Sequence, residues 1–355
     1  MIAYLIRIAI ILWFGLLIGV PVRAAPISFS EIPLYLSARA DPNVLFNMSV
    51  EWPTGGAAYN DHTDLGSGGQ CPGRPPNEDG YAIGQCYFAN KTYIGYFDPN
   101  KCYEYSSNRF NPSGATNALH ECSGKWSGNF LNWATMTAID EFRKALTGGN
   151  RSTDTATTTV LERAYQDRPK GNGVVPIKKI SASDTVVNGA TIPGVNPASV
   201  TPYSGSKLYL YNVQNAIPPQ IEVGDAADDT DEYASGLNVR VKVCDLAQGL
   251  ENNCTAYGSS YKPEGLVQKN AHRMRFALTS YLLDNSRNRD GGVLRARMKY
   301  SGPQKYVSGS GMAPNDTGPT TKEWSEIDGT FFTNPDAADA AASGVSNSGV
   351  INYIN

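Results

Sequence analysis

The longest stretch of the chain with a single hydrophobic period covers residues 126–149 and predicts an amphipathic helix. Its apolar positions recur at steps of three and four residues, whereas the charged positions fall largely on the other face. The apolar positions are Leu131, Ala134, Ala138, Phe142, Ala145 and Leu146. Gly148 and Gly149 follow the last apolar turn, where a residue without a Cβ closes a helix. An isolated helix of this length is marginal in water, so we expect another element to cover it.

Before this helix, the pattern predicts short strands separated by loops. Residues 44–50 form an apolar run of strand length that reads as a buried strand, and the aromatic segment 81–98 predicts one or two more. Between them, residues 53–80 show no period and are rich in Pro, Gly, Asn and Asp, which predicts a loop insertion.

After the helix, the pattern weakens and turns toward strands. Residues 152–165 predict a second helix, because residues 159–162 resemble a capping box. From residue 168 to 261, short strand-like runs alternate with polar loops, which predicts a β-rich insertion.

The last ninety or so residues return to a mixed pattern. Residues 266–273 predict a short helix, and residues 274–282 and 293–300 flank an Asp-Gly-Gly turn, which predicts a hairpin. A helix-like pattern at residues 350–354 stops at Asn355, so we expect the natural protein to continue.

The first 24 residues predict a secretory signal peptide. Arg7 gives a positive start, residues 8–20 are apolar, Pro21 breaks the run, and small residues suit cleavage after Ala24. We therefore expect no stable membrane span in the mature chain. The alternative is a retained anchor, although the run is slightly short for a span of about 20 residues.

Charge and composition narrow the class of partner. Lys and Arg number 30 against 33 Asp and Glu, and no basic cluster occurs, so nucleic acid is not expected as a partner. Only 18% of residues are charged, while Gly, Pro and Tyr are frequent, which is typical of a loop-rich exported protein.

The cysteine count adds a structural expectation. Six cysteines follow the predicted signal peptide, and an even number in an oxidising compartment favours disulfides. Sequence proximity favours the pairs Cys71–Cys86, Cys102–Cys122 and Cys244–Cys254. A zinc site is the less favoured alternative, because no Cys-x-x-Cys pair occurs and the three histidines are scattered.

No catalytic constellation emerges from the sequence, so we do not expect an enzyme. It has no Gly-x-Ser-x-Gly elbow and no paired carboxylates in an apolar setting. Acidic loops at residues 225–232 and 284–290 offer oxygen ligands but lack the glycine and distal Glu of a helix-loop-helix calcium loop. Solvated loops are the favoured interpretation of both.

Aromatic residues before the helix allow two interpretations. Trp52, Tyr59 and the Tyr-rich segment that ends at Tyr105 supply either an exposed binding surface or the core of small β elements. The core is the favoured interpretation.

Six long and unusual strings occur in order along most of the mature chain. They are DPNVLFNMSVEWPT from Asp41, YIGYFDPNKCYEY from Tyr93, CSGKWSGNFLNWATMTAIDEFRKALTGGNR from Cys122, TVLERAY from Thr159, RDGGVLRARMKYSGP from Arg289 and TNPDAADAAASGVSNSGVINYIN from Thr333. Together they resemble the N-terminal half of the PilC/PilY family of type IV pilus biogenesis factors and tip-associated adhesins.

The resemblance implies an α/β fold, namely a von Willebrand factor type A-like domain with large β-rich, loop-rich insertions that contain disulfides. We accordingly expect a signal peptide at 1–24, a first strand, disulfide-pinned loop and central helix within 25–165, a β-rich insertion at 166–265, and a return to the α/β domain at 266–355. In the family a calcium-binding β-propeller follows, and its calcium loop has no counterpart in this chain.

The same resemblance implies a non-catalytic protein exported through the inner membrane to the periplasm, outer membrane and pilus tip. It would promote pilus extension, twitching motility and adhesion, with pilin or minor pilins and a host-cell or abiotic surface as partners. The alternative function is a secreted carbohydrate-binding or hydrolytic domain.

A metal site also follows from the resemblance. Type A domains hold a divalent metal with Asp-x-Ser-x-Ser after the first strand, and the equivalent residues here are Asn47, Ser49 and Glu51. Oxygen ligands for calcium or magnesium are present, but Asn replaces the Asp and Glu replaces the second Ser. A plain strand end with a polar tip is the favoured interpretation.

Overall fold

Strands dominate the architecture, and the helices are short. A computed structural model describes residues 42–49, 52–60, 82–187, 190–225, 232–271, 273–281, 291–303, 322–344 and 346–355. These belong to a single unit that begins at Asp41. The predicted signal peptide lies outside the described residues.

The strands are β1 (Asn43–Met48), β2 (Ile83–Gly84), β3 (Lys101–Ser106), β4 (Arg109–Ala115), β5 (Trp126–Ser127), β6 (Arg151–Thr155), β7 (Thr158–Glu162), β8 (Ile177–Ser181), β9 (Thr185–Val187), β10 (Ala190–Ile192), β11 (Lys207–Asn212), β12 (Gln220–Gly224), β13 (Glu232–Asn238), β14 (Arg240–Val243), β15 (Cys254–Tyr257), β16 (Ser260–Pro263), β17 (Arg275–Tyr281) and β18 (Gly292–Tyr300). The helices are α1 (Trp52–Gly55), α2 (Gly128–Thr135), α3 (Ala138–Thr147), α4 (Pro197–Val200), α5 (Leu266–Lys269), α6 (Ala337–Ser343) and α7 (Val350–Ile354), with a 3-10 turn at Leu246–Gln248.

Two large sheets supply most of the core. The six-stranded sheet has the order β5-β3-β4-β14-β7-β6, and the five-stranded sheet has the order β13-β12-β11-β8-β2. Side chains from both sheets and from α2 form one apolar cluster that is rich in aromatic rings. The β-rich character predicted between residues 168 and 261 is confirmed, and β14 from that region pairs with β4 and β7 from before it.

A third sheet has the order β1-β17-β18 and its own apolar cluster. The predicted strands 274–282 and 293–300 form an antiparallel pair, although their turn lies outside the described residues. The predicted first strand is present as β1, which runs parallel to β17. It is half-buried instead of fully buried, because Phe46 packs on Phe276 at 5.8 Å between ring centroids while Asn47 faces solvent.

The predicted central helix is two helices, α2 and α3, separated at Met136 and Thr137. Met136 is extended, and Thr137 starts a new helix, because Asp140 Oδ2 accepts hydrogen bonds from Thr137 N at 3.2 Å and from Thr137 Oγ1 at 2.6 Å. The break rotates the second half of the stretch, so that Phe142 is 51% exposed instead of buried. The predicted glycine end is confirmed, since Gly148 has a φ of 84°.

The predicted second helix at residues 152–165 is wrong, because this region forms the β6–β7 hairpin. The run is rich in Thr and Val, whose branched Cβ atoms restrict χ1 in a helix and suit a pleated strand. Val160 and Leu161 are buried in the hairpin.

The aromatic segment predicted at residues 81–98 is mostly irregular and not the one or two long strands predicted; within its described residues, 82–98, the one strand is the short Ile83–Gly84. Two fully buried asparagines of α2 hold it. Asn129 Oδ1 accepts from Tyr93 N at 2.7 Å, and Asn132 Oδ1 accepts from Phe97 N at 3.1 Å. Asn132 Nδ2 donates to the carbonyls of Tyr93 and Phe97 at 2.8 and 2.9 Å. The backbone is therefore paired without a strand partner.

Glycine is required at the centre of this segment. A Cβ on Gly95 would lie 2.1 Å from Asn132 Oδ1 and 2.5 Å from Met136 Cγ.

The rings of Tyr87, Tyr93 and Phe97 are buried, as the core interpretation of the aromatic residues expects. Side-chain contacts of Trp52 lie outside what the structure describes.

Candidate functional site

Two of the three residues predicted to bind a divalent metal, Asn47 and Ser49, lie at the C-terminal end of β1. Asn47 stands opposite Thr279 in the parallel register, and Thr279 Oγ1 donates to Asn47 Oδ1 at 3.3 Å. Ser49 is half-buried, and its carbonyl accepts from Thr54 Oγ1 at 2.8 Å. Glu51 lies outside the described residues. The parallel strands bring a further hydroxyl, Thr279, next to Asn47, which sequence reasoning did not identify.

The acidic loop at residues 225–232 lies largely outside the described part of the chain, and the acidic loop at residues 284–290 lies wholly outside it. Within the described ranges, one group of three His, Cys, Asp or Glu side chains converges closely enough to hold an ion, namely Cys244, Glu251 and Cys254. The two sulfur atoms of this group are joined to each other. The predicted metal site at Asn47, Ser49 and Glu51 stays a prediction.

Disulfides cross-link the main body. Cys102–Cys122 and Cys244–Cys254 are bonded, and both are pairings that sequence proximity favours. Cys86 is also disulfide-bonded, whereas Cys71 lies outside the described residues. Glu251 connects the two cross-linked regions, because it accepts from Cys244 N at 2.7 Å and from the ammonium group of Lys101, the neighbour of Cys102, at 2.7 Å.

A polar cleft of about 420 Å³ lies where the β6–β7 hairpin meets the C-terminal segment. Its lining is Asn150, Arg151, Asp154, Phe331, Phe332, Thr333, Asn347, Asn352 and Asn355. These residues come from two stretches of the chain that are more than 170 positions apart. A hydrogen bond between Arg151 and Gly329, which are separated by 178 residues, joins the two stretches. Sequence reasoning missed this cleft, and neither stretch carries a motif that points to the other.

Arg151 lies at the floor of the cleft with only 2% of its side chain exposed. Its guanidinium carbon lies 3.5 Å from the ring centroid of Phe331. Nη1 donates to Asp154 Oδ2 and to the carbonyl of Gly329, both at 2.9 Å, and Nη2 donates to the carbonyl of Pro263 at 2.8 Å. Nε is buried and has no hydrogen-bond partner. Burial lowers the pKa of Arg151, and Asp154 opposes that shift.

The carboxylate of Asp154 joins the groups of the floor. Oδ2 also accepts from Phe331 N at 2.8 Å, and Oδ1 accepts from Lys262 Nζ at 2.7 Å. Lys262 is 1% exposed and donates further to Thr159 Oγ1 at 2.9 Å. The two buried cations therefore share one carboxylate, which fixes their positions.

The rim of the cleft is aromatic and rich in amides. The Phe332 ring is 41% exposed. Asn352 Nδ2 donates to the carbonyls of Phe332, Thr333 and Ser348 at 2.8, 3.0 and 2.7 Å, which fixes the local backbone. Asn347 and Thr333 are exposed at the same rim.

Buried carboxylates fix the position of the C-terminal segment, which carries the rim of the cleft. Glu323 is 2% exposed, and its two oxygens accept from Val350 N at 2.9 Å and Ile351 N at 2.8 Å, which caps α7. Asp336 is 1% exposed and pairs with Lys299 Nζ of β18 at 2.9 Å. Burial raises the pKa of Glu323, and Lys299 and the backbone donors oppose the shift.

The fold and this site define a class, a sheet-rich mixed α/β protein that is cross-linked by disulfides. Residues 84–219 match the family model described as the small alpha/beta domain of PilY1 homologs. Over 93% of its length the chain is 36% identical to a type IV pilus biogenesis factor PilY1 homolog of Xylella fastidiosa. It is also 28% identical, over 68% of its length, to a second protein of that name from the same strain. The chain belongs to the PilY1 homolog family.

The chain spans 27% of the length of the first relative and 18% of the second. No solved structure matches it. Among the described residues, every helix is too short or too polar to cross a membrane. The matched domain begins at β2 and ends just before β12, so it includes α2, the aromatic segment and the part of the cleft that β6 supplies.

Proposed function

We propose that this chain is the N-terminal part of an exported, non-catalytic factor that promotes assembly and extension of type IV pili. The observation that carries the proposal is the relation over 93% of the chain to a protein named type IV pilus biogenesis factor PilY1 homolog. The disulfides support export, because such bonds persist mainly in oxidising compartments.

In this proposal the chain acts by contact at the cell surface and pilus tip, with pilin or minor pilins as partners and a host-cell or abiotic surface as the target. Cross-links and a large aromatic core suit a rigid contact module, because they keep a surface pre-organised before it binds.

A gene deletion with complementation tests the pilus role. Loss of surface pili and twitching, restored by the wild-type gene, is expected. A deletion strain with normal pili and normal twitching would overturn the proposal. The purified exported protein is expected to start at Ala25, and N-terminal sequencing checks this.

We also propose a type A-like arrangement around β1, with a calcium or magnesium ion held by Asn47, Ser49 and Glu51. The parallel pairing of β1 with β17 and the contact between Asn47 and Thr279 support it. Calorimetry with Mg²⁺, Mn²⁺ and Ca²⁺ tests it, with Asn47→Ala as the variant. The absence of binding heat in the wild type would refute this site.

A secreted hydrolase is the competing function, and the cleft is the candidate active site for it. Hydrolysis of glycosides usually needs two carboxyl groups across the bond. Among the described residues that line the cleft, Asp154 is the one carboxylate, and Arg151 and Lys262 hold its oxygens. This arrangement favours binding over hydrolysis. Release of reducing sugar from polysaccharides by the purified chain, lost in Asp154→Asn, would favour the hydrolase.

A further inference from the structure

We propose that the cleft between β6 and the C-terminal segment binds a neutral sugar residue of a surface glycan. The Phe332 ring would stack on the apolar face of the sugar, and side-chain amides of the rim would bind its oxygens. This inference deepens the proposed surface-contact function and rests on it.

The size and the rim of the cleft suit such a ligand. Its volume of about 420 Å³ lies within the range of about 300–1,000 Å³ that is typical of small-molecule sites. Phe332 exposes 41% of its surface at the rim, while the neighbouring Phe331 ring is covered by Arg151. A partly exposed aromatic residue beside polar groups is the combination that a sugar ring, apolar on its faces and polar at its edges, requires.

The polar groups of the cleft have unused hydrogen-bonding capacity. Asn352 uses its Nδ2 on three carbonyls, which leaves its Oδ1 as an acceptor, and the exposed Asn347 offers both groups.

The charges beneath the cleft favour a neutral ligand. Arg151 and Lys262 are both paired with Asp154. The buried Glu264 also acts on Arg151, since both carboxylates oppose the burial-driven fall of the Arg151 pKa. Two carboxylates thus balance two cations, and no excess positive charge remains to select a sialylated or phosphorylated ligand.

The backbone of the rim argues against an extended peptide as the ligand. A peptide that adds a strand needs free backbone donors and acceptors. Phe331 N already donates to Asp154 Oδ2, and Phe332 N donates to the carbonyl of Glu323. The carbonyl of Phe332 accepts from Asn352. The cleft therefore presents side-chain groups, which suit hydroxyls arranged around a ring.

A glycan array followed by calorimetry tests the proposal. The purified chain is applied to an array of neutral and sialylated oligosaccharides and to a neutral Gly-Ser-Thr peptide, and the best neutral glycan is then titrated. Phe332→Ala is expected to weaken binding by about tenfold or more, and Asn347→Ala by about fivefold. Phe142→Ala is the matched control, because Phe142 is 51% exposed and does not line the cleft. Thermal unfolding checks that each variant remains folded.

Three results would overturn the inference: no neutral glycan retained, sialylated glycans or the peptide preferred, or equal affinity in Phe332→Ala and Phe142→Ala. The pilus assay separates this from the proposed function. A pilus-deficient deletion strain with an empty array refutes only the sugar site. A deletion strain with normal pili refutes the pilus role whatever the array shows. A Phe332→Ala strain that loses glycan binding but keeps its pili supports both.

Discussion

The aromatic segment, described over residues 82–98, and the C-terminal segment that begins at residue 322 both run over the body of the protein largely without strand partners. The first is held by neutral amides, Asn129 and Asn132, which pair with its backbone inside an aromatic core. The second is held by buried carboxylates, Glu323 and Asp336. Neutral amides bond the backbone without any charge to desolvate, whereas each carboxylate forms stronger bonds and carries a burial cost.

This difference predicts how each segment fails. Loss of an amide leaves the buried backbone of the aromatic segment unpaired, with nothing to offset the cost. Loss of a carboxylate removes strong hydrogen bonds but also removes a buried charge, so the net effect is smaller and more local. The following substitutions test these expectations, beginning with the largest effect.

Asn132→Ala is expected to lower the free energy of unfolding by about 3–4 kcal/mol, because Phe97 N and the carbonyls of Tyr93 and Phe97 lose their partner inside the core. Urea unfolding of the purified chain measures this. Asn334→Ala is the control, since Asn334 is exposed, and it should change stability by less than about 0.5 kcal/mol. Similar values for the two variants would show that the amide does not hold the segment.

Glu323→Ala is expected to cost about 2 kcal/mol, because α7 loses the acceptor for Val350 N and Ile351 N while the burial cost of the charge disappears. Hydrogen exchange should rise mainly in residues 350–354. Glu326→Ala is the control: this exposed carboxylate pairs with Lys322 at 3.6 Å on the surface, a kind of pair worth about 0–1 kcal/mol. Exchange that rises equally throughout the chain would contradict the local role of Glu323.

Elements with local sequence signals were predicted with different success. The antiparallel pairing of β17 with β18 was predictable, because the alternation of apolar and polar residues is a local signal, whereas the predicted turn stays a prediction. The break between α2 and α3 was also written locally, in the Thr137-x-x-Asp140 capping box, but the hydrophobic period of the whole stretch masked it. The hairpin β6–β7 was mistaken for a helix because a capping-box pattern was preferred over the β propensity of its Thr and Val residues.

The cleft and the conformation of the aromatic segment could not be predicted from the sequence, for a different reason. Both depend on contacts between distant parts of the chain, as when Arg151 meets Gly329 or Asn132 meets Tyr93. A polar residue near an apolar stripe gives no indication of its distant partner. Asn129 and Asn132, three positions apart on α2, were visible only as polar interruptions of an apolar pattern.

The smallest effect concerns a carboxylate near the aromatic segment, on the same helix as Lys144, whose Nζ donates to the carbonyl of Gly95. The hydroxyl of Tyr59 donates to the carbonyl of Ile94 at 3.0 Å. Burial and, after it, the charge of Glu141 on α3 raise the pKa of Tyr59. Burial raises the pKa of Glu141 to about 7, with Lys144 opposing and Asp140 adding to the shift, and Glu141 Oε1 is buried without a hydrogen-bond partner.

Glu141→Gln tests whether this carboxylate makes the stability of the protein depend on pH. Between the ordinary pKa of 4.5 and the folded value of about 7, the folded state binds more protons than the unfolded state. The wild type should therefore lose stability as pH rises through this window, and the variant should not. At pH 8 we expect Glu141→Gln to be more stable by on the order of 1 kcal/mol, and near pH 4 the two should converge. Thermal unfolding between pH 4 and 8 measures the difference between the two proteins, which cancels the contribution of other titrating groups. Parallel curves would mean that Glu141 is solvated and does not contribute to the pH dependence of stability.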